Sequence, residues 1–401
     1  MAQTLENFDE ALKIDYLPVI RTQLNNTTIL SSRIERNERD VSGKRWQLTT
    51  HIKRNSGIGA GTESGLPTAG QQEYANPYGT VKYNRGRIQI TGPTIAASRD
   101  NKGAMVRALE SEIRGVTADL KKEINYQLFN DGTAVRALIN GDPGTETTLT
   151  LDTPGTRWIM EGMLIDILDP STGNLTSSGN DLTVSSVDSA TEITLSAAAD
   201  ADVADNDYVT RANATDESGT SYEMMGLKGI IDDGEYVDTL HNISRTTYPY
   251  WKCSTNSTDS NAGTLRDMTL ELIQASLTSV EANGGKTNLI ISDHAMRDAY
   301  AALVVADKRY VNTMDLDGGF KALEYNGIPW VPDADCPNNT VFFVDTEHLQ
   351  IMQMSDWSWM DRDGAVLSRV ADNDAYEAVL YRYADLVTDK PKAHAFLRDV
   401  Q

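Results

Sequence analysis

The chain has 401 residues, 40% of them hydrophobic, and a formal net charge of -22. That length supports a sizeable core and two or three domains, and the negative balance excludes a general phosphate-backbone binder, which needs a basic surface. No run approaches the roughly 18 apolar residues of a membrane span, the acidic start lacks the basic and apolar regions of an export signal, and Cys253 and Cys336 are too few for a disulfide framework, which points to a reducing compartment.

Residues 5–24 read as helical through Leu5, Phe8, Leu12, Tyr16 and Val19, with Pro18 weakening the second half. Residues 25–41 are polar and read as an extended arm. Next comes a long hairpin. Trp46, Leu48, Thr50 and Ile52 alternate with polar neighbours along 44–53, the period of a strand with two unlike faces. A return strand is expected from about Thr80 to Thr91, through Val81, Tyr83, Ile88 and Ile90. The glycine-rich stretch 55–70 between them is too long for an ordinary turn. An isolated hairpin is marginal in water, so this one is expected to lie on something else, with a neighbouring copy of the chain as the obvious candidate.

Asp100 and Asn101 offer an N-cap to one long helix. Met105, Leu109, Ile113, Val116, Leu120, Ile124 and Leu128 form its single apolar stripe, and Asp131-Gly132 ends it. Residues 141–213 change character. Short alternating runs at 147–151, 163–168, 182–187, 192–195 and 208–211 predict about five strands and a small inserted β-barrel. Helices are expected at 264–282, stopped by Asn283-Gly284-Gly285, and after Asp293. Strands are expected at 288–292, 320–325, 328–331, 341–344, 375–388 and 393–400. Helices mixed with segregated strands give an α+β class.

Charge is unevenly spread. Residues 33–130 hold 16 Lys/Arg against 10 Asp/Glu, whereas 142–217 hold 2 against 15. A basic front and an acidic middle suggest either complementarity between copies or a solubilising surface on the acidic part.

Chemical motifs fail on inspection. Gly284-Gly285-Lys286-Thr287 lacks the earlier glycine of a phosphate loop, since position 280 is Val280, and it follows a helix instead of preceding one. Gly57, Gly59, Gly61 and Gly65 have no helix directly behind them to complete a phosphate cradle. The five histidines form no i, i+4 pair and neither cysteine sits in a CxxC, so no metal site is expected. Asp315-Leu316-Asp317 lacks the later ligands of a calcium loop. Trp357, Trp359, Met352 and Met354 read as packing more readily than as a ligand box. No catalytic residue, cofactor site or metal site is assigned.

The order of elements and several local motifs resemble one family. Residues 41–67 run from Val41-Ser42-Gly43-Lys44 to Gly65-Leu66-Pro67, with Gly92-Pro93-Thr94 behind them. The helix follows at 101–130, then Gly319-Phe320-Lys321 through Trp330-Val331-Pro332-Asp333, and finally Asp389 to Leu397. Together these resemble a major capsid protein of tailed double-stranded-DNA bacteriophages with the Hong Kong 97-like fold. The resemblance implies an N-terminal arm (1–42), an extended loop (43–92) and a peripheral domain with a spine helix (93–140). It further implies the inserted β-rich domain (141–213), a peripheral linker (214–263), an axial domain (264–354) and strands returning to the peripheral domain (355–401).

It also implies a non-enzymatic shell subunit that forms hexamers and pentamers around phage DNA, in the virion, after assembly in the host bacterial cytoplasm. A separate scaffolding protein, a portal protein and an optional decoration protein are the implied partners, with no membrane and no sequence-specific DNA contact. The alternative is an encapsulin-like compartment with protein cargo. Subunit-interface residues expected on this reading are Arg33, Arg36, Arg39, Trp46, Lys53, Ile58, Glu63, Leu66, Pro67, Tyr78, Arg85 and Arg87.

Overall fold

The computed structural model describes residues 30, 33–63, 65–92, 102–144, 146–152, 154–176, 179–199, 202–216, 219–257, 264–306, 313–315, 321–361, 366–371 and 373–401, with side chains in the long helix from Glu112 onward. The expected helix at 5–24, the cap at Asp100 and Asn101, and the side chains of Met105 and Leu109 lie outside these. The chain divides into two compact units: residues up to 123 with 229–334 and 339–401, and residues 124–228 with 335–338.

The first unit contains two main sheets. Ala375–Thr388 is the spine of the five-stranded one. It pairs antiparallel with Leu349–Trp359, with Ser368–Arg369 and with Lys82–Thr91. Glu35–Asn37 adds a parallel outer strand beside Leu349–Trp359. The long helix Lys102–Phe129 sets its stripe on this sheet at Gly86. A Cβ there would stand 2.8 Å from Val116 Cγ1 and 3.3 Å from Leu120 Cδ2. Ile113 and Leu120 are buried beside this contact.

Lys82–Thr91 departs from expectation. Its ten residues pair with Ala375–Thr388, from Thr91↔Ala375 to Lys82↔Ala384, and not with the outgoing hairpin strand. The outgoing strand is itself two short pieces. Arg45–Gln47 pairs with Tyr78–Thr80, and Thr50–Lys53 pairs with Glu73–Ala75. Pro77 sits in the break with no N–H to donate, while its carbonyl accepts from Leu48 N–H at 3.0 Å. The return strand therefore begins at Glu73 and not at about Thr80. In Lys82–Thr91 the buried positions are Asn84 and Ile88, and Tyr83 faces solvent. The helix-facing side of the strand carries Asn84, Gly86 and Ile88.

The second sheet has seven strands, in the order Ser254–Asn256, Ala395–Arg398, Thr340–Val344, Leu289–Ser292, Ile328–Pro332, Lys321–Tyr325, Thr313–Asp315. The helices Leu270–Ala282 and His294–Ala306 share its core. Ile273, Leu277 and Val280, at helical spacing, pack with Ile290, Trp330, Phe343 and Leu397. Each such side chain contributes about 1.5–3 kcal/mol on burial. Tyr300 stacks on Trp330 at 4.5 Å. Thr269 and Asp293 cap the two helices, accepting from Leu272 N–H (3.3 Å) and Met296 N–H (2.9 Å). Asn283 and Gly284 stop the first, with Gly284 at φ +73°.

The closing strand is a correction. Ala395–Arg398 lies between Ser254–Asn256 and Thr340–Val344, inside this seven-stranded sheet, and does not return to the sheet of Ala375–Thr388. All four of its residues are buried, as a central strand covered on both faces requires. The expected boundary at 354 also falls inside one continuous strand, Leu349–Trp359.

The second unit is built on a six-stranded sheet. Its order is Val135–Leu138, Tyr208–Arg211, Leu164–Leu168, Leu182–Val187, Glu192–Leu195, Thr148–Thr150. The first and last strands meet at the Ile139↔Leu151 bridge. There Asn140 N–H donates to Thr150 O and Asp152 N–H to Leu138 O, both at 2.9 Å. Ile139, Leu149, Ile165, Ile167, Val184, Ile193 and Val209 fill its interior. Val135–Leu138 lies before the expected start at 141. Its Arg136 is only 3% exposed, which disguises a buried strand as a surface one. That guanidinium sits 4.4 Å from the Tyr126 ring and 3.7 Å from Glu223, and donates to Trp158 O.

Gly86→Val should lower stability by about 1–3 kcal/mol through overpacking, read as a lower urea midpoint with unchanged slope. An unchanged midpoint would show that the helix does not depend on the missing side chain.

Candidate assembly surface

The hairpin is fixed at its base by Trp46, which is fully buried. Along 45–53 every even position is more buried than its odd neighbours, so the whole outgoing run presents one face to its own subunit. The Trp46 indole fills the space above Gly79, where a Cβ would stand 2.6 Å from Cζ2. Its Nε1 donates to Asp385 Oδ2 at 3.3 Å. His241 meets the ring edge-on at 4.8 Å. Val81, Met352, Tyr383 and Val387 complete the cluster. Further out, Tyr78 N–H donates to His241 O (3.1 Å) and Thr50 Oγ1 to Asp389 O (3.2 Å). The hairpin body thus rests on its own chain, contrary to the expectation that a neighbour carries it.

Beneath the anchor lies a buried ion pair. Arg245 and Asp232 are both fully buried, with Nη1 3.2 Å from Oδ2. Asp232 also accepts from Gly234, Tyr236 and Val237 N–H, and Arg245 donates to Ile230, Val237 and Trp251 carbonyls. All of these contacts to the carboxylate fall on Oδ2, and the buried Oδ1 has no hydrogen-bond partner among the described residues; charges buried this deeply hold only when paired and hydrogen-bonded. The knot fixes the segment that carries His241.

Two imidazoles under the anchor are neutral. His241 Nε2 accepts from Thr388 N–H, and His394 Nδ1 from Asp345 N–H at 3.2 Å. Burial holds His241 down at about 3, with Arg245 adding repulsion. Burial likewise holds His394 at about 3, with His348 and Lys390 adding to it.

Beyond the anchor the tip stands alone. Gly57 and Gly70 pinch its neck so closely that a Cβ on either would lie 2.6 Å from the other's nitrogen, and Asn55 Oδ1 accepts from Gly57 N–H at 2.7 Å. Past the neck, Ile58 is 76% exposed and Leu66 95%. Glu63 and Pro67 are exposed between and beside them.

The other expected interface residues divide. Trp46 is interior, a correction that follows from its cover by the chain's own sheet. Arg36 pairs with Asp356 at 3.4 Å, Lys53 with Glu73 at 3.7 Å, and Arg87 with Glu377. Arg85 lies 5.7 Å and 5.8 Å from the Tyr83 and Tyr383 rings. Tyr78 carries the Arg45 guanidinium 5.8 Å above it and is 38% exposed. Arg33 is half-buried and Arg39 exposed. Sequence reasoning missed Gly79, His241 and Asp385. Only Gly79 carried a signal, as an isolated glycine within a strand pattern. Trp357, Trp359 and Met352 are buried, with Arg382 5.5 Å from the Trp357 ring, whereas Met354 is exposed. Among the described residues no cluster of His, Cys, Asp and Glu is arranged to hold a metal, and no helix is long and apolar enough to cross a membrane.

No curated protein sequence matches the chain. Solved structures do. A subunit of the cyanophage A-1(L) capsid superposes with a TM-score of 0.59 at 16% identity, over 93% of each chain. The capsid of an empty GTA particle gives 0.50 at 8% identity, over 94% of this chain and 90% of that one. The holo-SrpI encapsulin complex of Synechococcus elongatus gives 0.48 at 9% identity, over 94% and 88%, a likeness too low to bear on function. In sequence, residues 205–401, a little under half of the chain, match the family described as SU10 major capsid protein. Over those residues the chain is similar to major capsid proteins of the tailed-phage kind. The chain has the mixed α/β Hong Kong 97-like fold.

Acid should destabilise this subunit through the two neutral rings. Unfolded, each takes a proton near pH 6.5, and folded only near 3. Between those values the unfolded chain binds more protons, so stability falls as pH drops, by about 2 kcal/mol per ring between pH 7.5 and 5. Denaturant titrations across that range should show the fall, and His241→Asn should flatten the slope whatever its absolute stability. An equal slope in that variant would contradict the assignment.

Proposed function

We propose that the chain is the non-enzymatic building block of an icosahedral phage head, assembling into hexamers and pentamers around double-stranded DNA. The observation that carries this is the contrast within one hairpin. Its body is locked to its own subunit by Trp46, while its tip leaves Ile58 and Leu66 almost bare. Contacts between subunits are a physical use for a preorganised loop with apolar ends, because the ordering cost has already been met. The tip glycines let its angle adjust as neighbours change.

The closed six-stranded sheet is best read as a small barrel inserted into the capsid fold. Its acidic surface suits solubility or an accessory contact. The region 264–354 would then crowd around the five- and six-fold axes, where the same patch must fit slightly different neighbours. The virion is the destination, the host cytoplasm the place of assembly, and a separate scaffolding protein, a portal protein and an optional decoration protein are the partners this reading calls for.

Deletion of residues 56–70 should leave the subunit folded and soluble but unable to close shells. Electron microscopy of the chain, alone and with its scaffolding protein, against the deletion under the same conditions, checks this. Normal shells from the deletion would remove the tip from the assembly contact. Shells of the intact chain filled with protein cargo instead of DNA would favour a compartment over a phage head.

A further inference from the structure

Lys82–Thr91 is a ten-residue strand. Along residues 83–90 the only described strand that pairs with it is Ala375–Thr388. In an antiparallel ladder, half of a strand's N–H and C=O groups point to one neighbour and half to the other side. The second set here faces away from the sheet. Natural edges are usually blunted by shortness, charged side chains, proline or bulges. This one is long, its ten pairs run without a register shift and its sequence holds no proline; of those devices it carries the charges of Lys82, Arg85 and Arg87.

The side chains do not close it either. Tyr83, Arg85, Arg87 and Gln89 project from one face and Asn84, Gly86 and Ile88 from the other, which leaves the backbone edge itself as the recognition element. Gly86 is taken up by the helix on its face, so the strand is supported from behind.

We propose that this edge takes an extended strand from a second copy of the chain, so that the five-stranded sheet continues across the subunit boundary. This rests on the capsid reading above and adds to it a second contact, separate from the hairpin tip. Two observations favour a second copy over another occupant. The sheet ends in two unlike strands, Lys82–Thr91 on one side and Glu35–Asn37 on the other. Copies joined through unlike surfaces associate head to tail, the arrangement that closes into rings. The same strand also runs directly into the hairpin through Val81, whose N–H donates to Lys44 O at 3.1 Å. A neighbour engaging the hairpin would therefore lie beside the open edge. Main-chain pairing of this kind supplies affinity without demanding a fixed side-chain fit, as suits a subunit with slightly different neighbours in hexamers and pentamers.

Hydrogen–deuterium exchange on the full chain, unassembled and in purified shells, tests this. Deuterium uptake in peptides covering 83–90 should fall by about half or more on assembly. Shells built from mixed 14N- and 15N-labelled subunits, with the photo-crosslinker p-benzoylphenylalanine in place of Gln89, should then yield crosslinks joining labelled to unlabelled chains. Shells whose 83–90 uptake equals that of the free subunit would overturn the inference and leave the capsid reading intact. So would protection accompanied by crosslinks only within one copy or to a different protein. Absence of shells under every condition would sink the capsid reading, and this inference with it.

Discussion

The burial of Trp46 is the constraint on which the rest of the hairpin depends. Two three-residue ladders with a break between them would not hold together in water. An indole that removes roughly 200 Å² from solvent contributes on the order of 5 kcal/mol as an upper estimate, enough to seat the base on Met352, Tyr383 and Val387. Gly79 makes room for the ring and Asp385 takes its only polar atom, so no orphaned donor is left. Among the described residues nothing comparable covers the tip past Gly57. The same chain segment therefore has a fixed half and a presented half, and the change falls at the glycine neck.

The sequence showed faces better than neighbours. Period-two patterning along 45–53 told which side of the strand is inward, and the stripe at Ile113, Val116 and Leu120 told how the helix would lie. Five of the six strands in the second unit were visible as alternating runs. What patterning cannot carry is the identity of the partner strand. Lys82–Thr91 reads equally well as a hairpin return and as a neighbour of Ala375–Thr388, a residue run almost three hundred positions away. Ala395–Arg398 reads as an apolar strand wherever it goes. Val135–Leu138 was hidden by Arg136, whose charge is satisfied by Glu223 and the Tyr126 ring and so can be buried.

The candidate surface was legible for the same reason and to the same extent. Ile58, Leu66 and Pro67 were expected at an interface from the resemblance, and all three are exposed, as apolar residues amid glycines have no local core to join. Trp46 stood out as an aromatic on a long hairpin, but its cover comes from residues that no local window contains. Net charge misled in a different way. The basic balance of the front segment suggested cations waiting for a neighbour, yet Arg36, Lys53 and Arg87 each have a carboxylate within the chain. Exposed pairs of this kind are worth about 0–1 kcal/mol, so they bias the local geometry without strongly holding it.

That difference in strength separates the contacts of this chain that yield easily from those that do not. Glu35–Asn37 is held by three backbone pairs, by Arg36–Asp356, and by amide contacts from Asn37 to Gln350 and from Gln353 to Glu38. Each of these exchanges with water at little cost. The hairpin base, by contrast, carries an indole, a buried histidine and a buried ion pair whose separation would leave charge without a partner in the interior. A load on the chain would strain the cheap contacts first. Glu35–Asn37 and the tip beyond Gly57 would then shift while Trp46 stays seated, so the chain yields at its surface without opening its core.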